Sequence, residues 1–329
     1  MTVLQGFPGG NRDPRPFPPG CLAILSHVTR LPAFSRQAAH FHNNLPSRYK
    51  SVKSAQNAHG QPPWAVIVGK PVRSMLDIPI EAQPDDTTCG PTCLQAIYRF
   101  YGDDVALSSV IDETTTLPGG GTLAAWLGCH ALRRGYAARL YTFDLTVFDI
   151  TWFNGAHGID LADKLARQRR VKRSSRLQAT SDAMLDFLRL GGEVRFEDLT
   201  AGLIRDILKR DRPILAGLSA TYLYRSARER DDADGRMVFD DLRGEPSGHF
   251  VVIGGYDREN RTAHIADPLL PNPISEGQYY AVTLNHLVCA VMLGIITRDA
   301  NLLVLSPRRN AAPKGGKKGA SSRVRSGGH

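Results

Sequence analysis

The stretch QPDDTTCGPTCLQAIYRFYG, residues 83–102, places a glutamine six residues before a cysteine and a second cysteine four residues after it. Gly90 and Pro91 follow Cys89, and Leu94, Ile97, Tyr98 and Tyr101 recur at i, i+3, i+4 and i+7. That is one face of an amphipathic helix, with proline in its first turn, where a missing N–H costs nothing. A thiol at this end sits at the positive pole of the helix dipole, which favours thiolate, the nucleophilic form. Cys93, one turn further in, reads as a small core residue. The two cysteines also have the look of half a metal site. A structural zinc needs four convergent ligands, however, and Cys129, His130 and Cys289 offer no matching pair.

A cysteine nucleophile needs a histidine to exchange protons with it, and an acid or amide to orient the ring. Of ten histidines, His249 has the context: it follows Gly248 and opens the apolar, β-branched run HFVVIGGY. His157 and His286 read as surface or polar-core residues. DREN, residues 257–260, is turn chemistry, and TAHIAD follows as a second strand. With the loop there, facing residue numbers sum to about 517, so His249 faces position 268 and Asp267 lies across from it to within one or two residues. Pro268 biases Asp267 towards extended backbone and ends the strand. A buried structural ion pair is the competing reading of His249 and Asp267. Asp257 lies at the far end of the hairpin, and His264 competes for Asp267. Gln83 then acquires a use. Acyl transfer needs donors aimed at a developing oxyanion, and a side-chain amide entering the helix supplies one beside the Cys89 N–H.

In the order Gln, Cys, His, Asp, with CGPTCL, then GHFVVI, then IADP, the chain resembles the papain-like cysteine peptidases. More narrowly it resembles the bacteriocin-processing, double-glycine leader peptidases. The resemblance runs discontinuously from Leu76 to Leu305 and implies an α+β, papain-like fold. A helical lobe would carry the nucleophile and an antiparallel sheet would carry His and Asp. Position by position it implies Cys89 as nucleophile, Gln83 as oxyanion donor, His249 as base and Asp267 as its orienter. It further implies a thiol-dependent hydrolase acting on a peptide or amide bond, with no metal or organic cofactor. An acyl, aminoacyl or peptidyl transferase on the same fold is one alternative, and a noncatalytic peptide-binding module is another. The interval from Cys89 to His249 is long for the family, and no exporter membrane domain accompanies it.

The elements that must position these residues read as mixed α/β from Leu76 onward. GGGTLAAWLGCHALRRGY predicts a Gly-rich loop and a helix capped by Thr122, followed by a strand at AARLYTF. Helices are expected at about 181–190 and 197–210, then a buried strand at PILAGLS. A third strand at QYYAVTL, a helix capped by Thr283 and a closing strand at NLLVLS complete the reading. KLARQRRVKRSSR, residues 164–176, has seven basic residues and no acid, and reads as an exposed basic insert or helix face, with contact to an anionic partner as the alternative.

The chain has 329 residues, 42% of them apolar, enough for a substantial core. Its net charge of +9 is concentrated in residues 308–329, which hold seven Lys/Arg and no acid. The remainder has 34 basic against 32 acidic residues, near +2. That tail is expected to be disordered and basic. Nucleic-acid binding is disfavoured because charge comes without a readout motif or aromatic platform. Residues 1–74 are expected to form a poorly ordered extension, dense in Pro and Gly at first, and Met75 is a candidate for the true start. Residues 75–307 are expected to form the catalytic domain. The longest apolar run near the end, Leu287 to Ile296, is about half a membrane span. With no signal sequence and an odd five cysteines, the chain is expected to be soluble, cytoplasmic and reduced.

Overall fold

The computed structural model describes residues 65–66, 75–153 and 159–308. The expected disordered tail, apart from Arg308, and most of the N-terminal extension lie outside them, as does His157. Two residues of that extension, Ala65–Val66, form strand β1.

The described chain is an α+β structure built on one large, mostly antiparallel sheet. The strands are β1, β2 (Tyr136–Thr142), β3 (Glu193–Arg195), β4 (Ile214–Ser219), β7 (Gly248–Asp257), β8 (Thr262–Ala266), β9 (Tyr279–Thr283) and β10 (Asn301–Pro307). Their order is β1-β9-β8-β7-β4-β10-β2-β3. Every pairing is antiparallel except β2 with β3. NLLVLS therefore does not close the sheet, because β10 runs between β4 and β2, and the edges are β1 and β3. A separate hairpin pairs β5 (Glu229–Asp231) with β6 (Met237–Phe239).

Helices cover both faces, which is why the central strands read as continuous apolar runs rather than alternating ones. On one face lie α1 (Cys89–Phe100), α2 (Leu107–Glu113), α3 (Ala124–Arg133), α4 (Leu161–Val171) and α5 (Ser175–Arg189). On the other lie α6 (Ala201–Leu208), α7 (Ala220–Tyr224) and α8 (Leu284–Leu293). Strand β7 divides its side chains between them, Phe250 and Val252 towards the first core, Val251 and Ile253 towards the second.

One local expectation changes. Thr122 does not cap α3; its hydroxyl donates to the Thr115 carbonyl at 2.6 Å, and Leu123 holds the cap position without a side-chain bond. Thr283 does cap α8, accepting from the His286 N–H. The basic run is a helix face for part of its length. Residues 161–171 form α4, which packs on α5 through the buried Leu165. Arg169 pairs with Asp182 across those two helices. Among the described residues no helix is long and apolar enough to cross a membrane.

Candidate active site

Helix α1 begins at Cys89 because the segment before it is wound into a turn. Asp85 accepts from the Thr87 N–H and hydroxyl, both at 2.8 Å, and the Thr88 hydroxyl donates to the Asp85 carbonyl at 3.1 Å. Thr88 holds the N-cap position but gives α1 no side-chain cap. Pro91 has no N–H, and Thr92 donates to the Thr88 carbonyl at 3.1 Å. The Cys89 and Gly90 N–H groups thus stand at a helix end where no intrahelical carbonyl can reach them. Gly90 is required by packing: an added Cβ would lie 2.8 Å from Thr122 Cγ2 and 3.2 Å from both Leu127 Cδ1 and Phe250 Cδ2. Cys93 is fully buried and its thiol donates to the Phe250 carbonyl at 3.2 Å, tying α1 to β7 one residue from His249. Burial, and then Cys89 and Asp267, push the Cys93 thiol well above its ordinary value, so it is an inert core thiol.

His249 enters on β7, opposite Leu218 of β4, with Gly248 opposite Ser219. Gly248 admits no side chain, since a Cβ there would lie 1.8 Å from Asp299 Oδ2. The hairpin loop occupies residues 258–261, one residue later than expected from DREN. A bulge between Ile253 and Gly255 shifts the register, so Val252 faces Ala266 while Asp257 faces Thr262. At the bulge the Leu76 N–H donates to the Gly254 carbonyl at 2.8 Å, joining the strand to the segment before α1. Beyond it, Asp267 follows the last residue of β8 and reaches His249 diagonally.

His249 Nε2 donates to Asp267 Oδ1 at 2.9 Å. Asp267 is completely buried, and all of its acceptor capacity is used. Oδ1 also accepts from the Leu269 N–H at 2.9 Å, and Oδ2 accepts from the Tyr280 hydroxyl at 2.6 Å and the Tyr224 hydroxyl at 2.8 Å. With Nε2 committed to Asp267, Nδ1 is left to face the Cys89 side chain, which lies within interaction range of the ring. Burial opposes charge on His249, but Asp267 and then Cys89 overcome it and raise the imidazole to about 10.

Gln83 is stitched to the same place, its N–H donating to the Pro268 carbonyl at 2.9 Å. Its side-chain amide donates to the Asp85 carbonyl at 2.8 Å, while Oε1 is buried without a hydrogen-bond partner among the described residues. Gln83 and His249 line one cleft of about 210 Å³. A smaller apolar hollow of about 90 Å³, between Met75, Ile78, His264 and Tyr279, includes none of Cys89, Gln83, His249 or Asp267.

His264 does not compete for Asp267; it pairs with Gly255, beyond the bulge. Asp257 accepts from the N–H groups of Glu259 and Asn260 and serves the turn. His286 bonds the Leu223 carbonyl at 2.9 Å as a polar-core residue. Cys129 is buried on α3, and among the described residues no group of three or more His, Cys, Asp or Glu converges as metal ligands. Tyr224 and Tyr280 are the residues the sequence reading missed. QYY in a strand beside β8 was the available signal for Tyr280, since alternation turns one of those tyrosines towards the Asp267 side. Nothing in ATYLY marked Tyr224.

No family model matches the chain, and no curated protein matches it. Several solved structures are similar to it. A C39-like peptidase from Bacillus anthracis has a TM-score of 0.40 and 13% identity, over 71% of this chain and 98% of that one. A double glycine motif protease from an AMS/PCAT transporter, in complex with its leader peptide, has a TM-score of 0.34 and 13% identity, over 72% and 96%. Xylellain, a cysteine protease from Xylella fastidiosa, has a TM-score of 0.34 and 14% identity, over 76% and 87%.

Proposed function

We propose that the protein is a thiol-dependent hydrolase that cleaves a peptide or amide bond, with Cys89 as nucleophile, His249 as acid and base, and Asp267 as the positioning residue. One observation carries the reading. A cysteine at a helix end lies within interaction range of a histidine whose Nε2 is anchored on a buried carboxylate. Structural ion pairs do not require a thiol at their mouth; acyl transfer does.

The steps follow from the atoms. The Cys89 sulfur, its proton on His249, attacks the carbonyl carbon. The carbonyl oxygen takes the negative charge and turns towards the Cys89 and Gly90 N–H groups, with the Gln83 amide beside them. The C–N bond breaks as His249 Nδ1–H protonates the leaving amine, and a thioester remains on Cys89. Water then attacks the thioester, gives a proton to His249 and releases the acid. Asp267 keeps Nε2–H fixed throughout, so only Nδ1 exchanges protons. An amine in place of that water would give acyl transfer through the same thioester.

Limiting iodoacetamide at about pH 6, well under the ~8.5 of a free cysteine, is the test. Alkylation selective for Cys89 over the other cysteines, and lost in His249→Ala, is the expected result by peptide mass spectrometry. Cys89→Ala should abolish hydrolysis and Cys93→Ala should retain it. Labelling spread evenly over the cysteines, or absent from Cys89, would overturn the reading in favour of a noncatalytic peptide-binding module.

A further inference from the structure

The cleft that reaches His249 is acidic and partly apolar. Three of the residues lining it are carboxylates, Asp86, Glu229 and Asp231, and none is lysine or arginine. Met237, Phe239 and Leu269 supply apolar wall. The carboxylates come from different places, Asp86 from the turn before α1, Glu229 and Asp231 from β5. The β5–β6 hairpin therefore stands beside the cleft as a wall. Glu229 is held in place at both ends. Its backbone exchanges hydrogen bonds with Glu245 at 3.0 and 2.8 Å, and its carboxylate lies within interaction range of Ser247, two residues before His249. The side chain lies within electrostatic reach of both Asp86 and His249. Burial pushes its carboxyl above the ordinary range, Ser247 opposes that, Asp86 adds to the rise and His249 opposes it. Two polar atoms of lining residues, Ser226 Oγ and Gln83 Oε1, are buried without a partner among the described residues.

The neighbouring cations are engaged elsewhere. Arg230 pairs with Asp240 at 2.8 Å, and Arg228 donates to the Asp241 carbonyl. Glu229 is therefore a half-buried carboxylate with His249 as its basic neighbour among the lining residues, flanked by surface suited to an alkyl stem. An aliphatic chain ending in a cation meets those features together, with the stem against Met237 and Phe239 and the head on carboxylate oxygens.

We infer that the cleft is a specificity subsite for a lysine or arginine side chain within two residues of the scissile bond, with Glu229 as the determining residue. The inference rests on the peptide- or amide-hydrolase reading above. An acidic or bulky neutral side chain is disfavoured there, by repulsion in the first case and by further desolvation of the Glu229 carboxylate in the second.

The experiment digests a mixed peptide library with the full chain and reads the cleavage sites by mass spectrometry, for wild type, Glu229→Gln and Glu229→Lys. Wild type should enrich Lys and Arg at one fixed position near the cut. Glu229→Gln should lower the basic-over-neutral ratio of kcat/KM roughly tenfold, the scale of one partly screened ion pair. Glu229→Lys should turn the preference at that position towards Asp and Glu, which a merely structural role for Glu229 would not do. Cleavage without basic enrichment, or enrichment that survives both substitutions, overturns the subsite and leaves the hydrolase reading standing. No cleavage of any library member also overturns it. The hydrolase reading then falls with it only if Cys89 fails the selective alkylation test.

Discussion

Replacing Asp267 with Asn removes the charge beneath His249 and keeps the shape. The comparison belongs in a Cys89→Ala background, so that the thiol does not titrate together with the ring. Asp267 is completely buried and His249 is 6% exposed, so solvent screens the pair little. Burial alone would push the imidazole below its ordinary 6.5, yet Asp267 and then Cys89 bring it to about 10. At ~1.4 kcal/mol per pH unit that interval sets a ceiling of about 5 kcal/mol. Without the Cys89 contribution, about 3 kcal/mol is expected from Asp267. The folded protein keeps a proton on His249 that the unfolded chain has released. The stabilisation is therefore complete below pH 6.5 and is lost as pH rises through about 10. Urea unfolding from about pH 5.5 to about 10 reads this directly. Cys89→Ala should lose about 3 kcal/mol more across the window than Cys89→Ala/Asp267→Asn. Asp299 and Glu229 also lie within electrostatic reach of His249, but both proteins carry them, so the difference curve isolates the pair. Parallel curves would refute the argument.

Tyr224→Phe and Tyr280→Phe each remove a donor from Asp267 Oδ2, at about 1.5–3 kcal/mol for a bond to a charged group. Their double-mutant cycle should show coupling of at least about 0.5 kcal/mol, and strict additivity in urea unfolding would count against a shared oxygen. Cys93→Ala should cost about 1 kcal/mol through the lost bond to Phe250 and leave Cys89 alkylation unchanged. A collapse of that alkylation rate would mean that Cys93 does more than fill the core. Gly90→Ala should destabilise by about 1–3 kcal/mol through overpacking against Thr122, Leu127 and Phe250. Thr122→Ser removes the nearest methyl, keeps the hydroxyl that bonds Thr115, and should recover part of the loss in thermal unfolding.

Much of this site could be read in the sequence because its parts announce themselves locally. Cys-Gly-Pro ahead of a helical apolar face marks where α1 begins, and a β-branched run with a turn and an X-Pro stop marks β7 and β8. The register came within one or two residues. The turn sits one residue later than DREN, which moves facing residue numbers to a sum of 519, and the bulge at Gly254 brings them back to 518 on the His249 side. Tyr224 and Tyr280 converge on Asp267 from α7 and β9, and strand order rather than spacing decides that meeting. Charge left the run at 164–176 readable as either insert or helix face, because α4 has Leu165 as its one buried residue. The β5–β6 hairpin is three residues to a side and polar, too short to carry a periodic signal.

Thr88 is a residue type that ordinarily closes a helix, and here its hydroxyl faces backwards to Asp85. Forgoing that cap costs a helix about 1 kcal/mol. The first turn of α1 is thus held short of its own stability optimum, and an oxyanion seated on its N–H groups, as the proposed mechanism requires, would complete it. Occupancy and local order at this helix end become one equilibrium. A bound peptide aldehyde should then slow hydrogen exchange of the Cys89 and Gly90 amides as well as block the thiol.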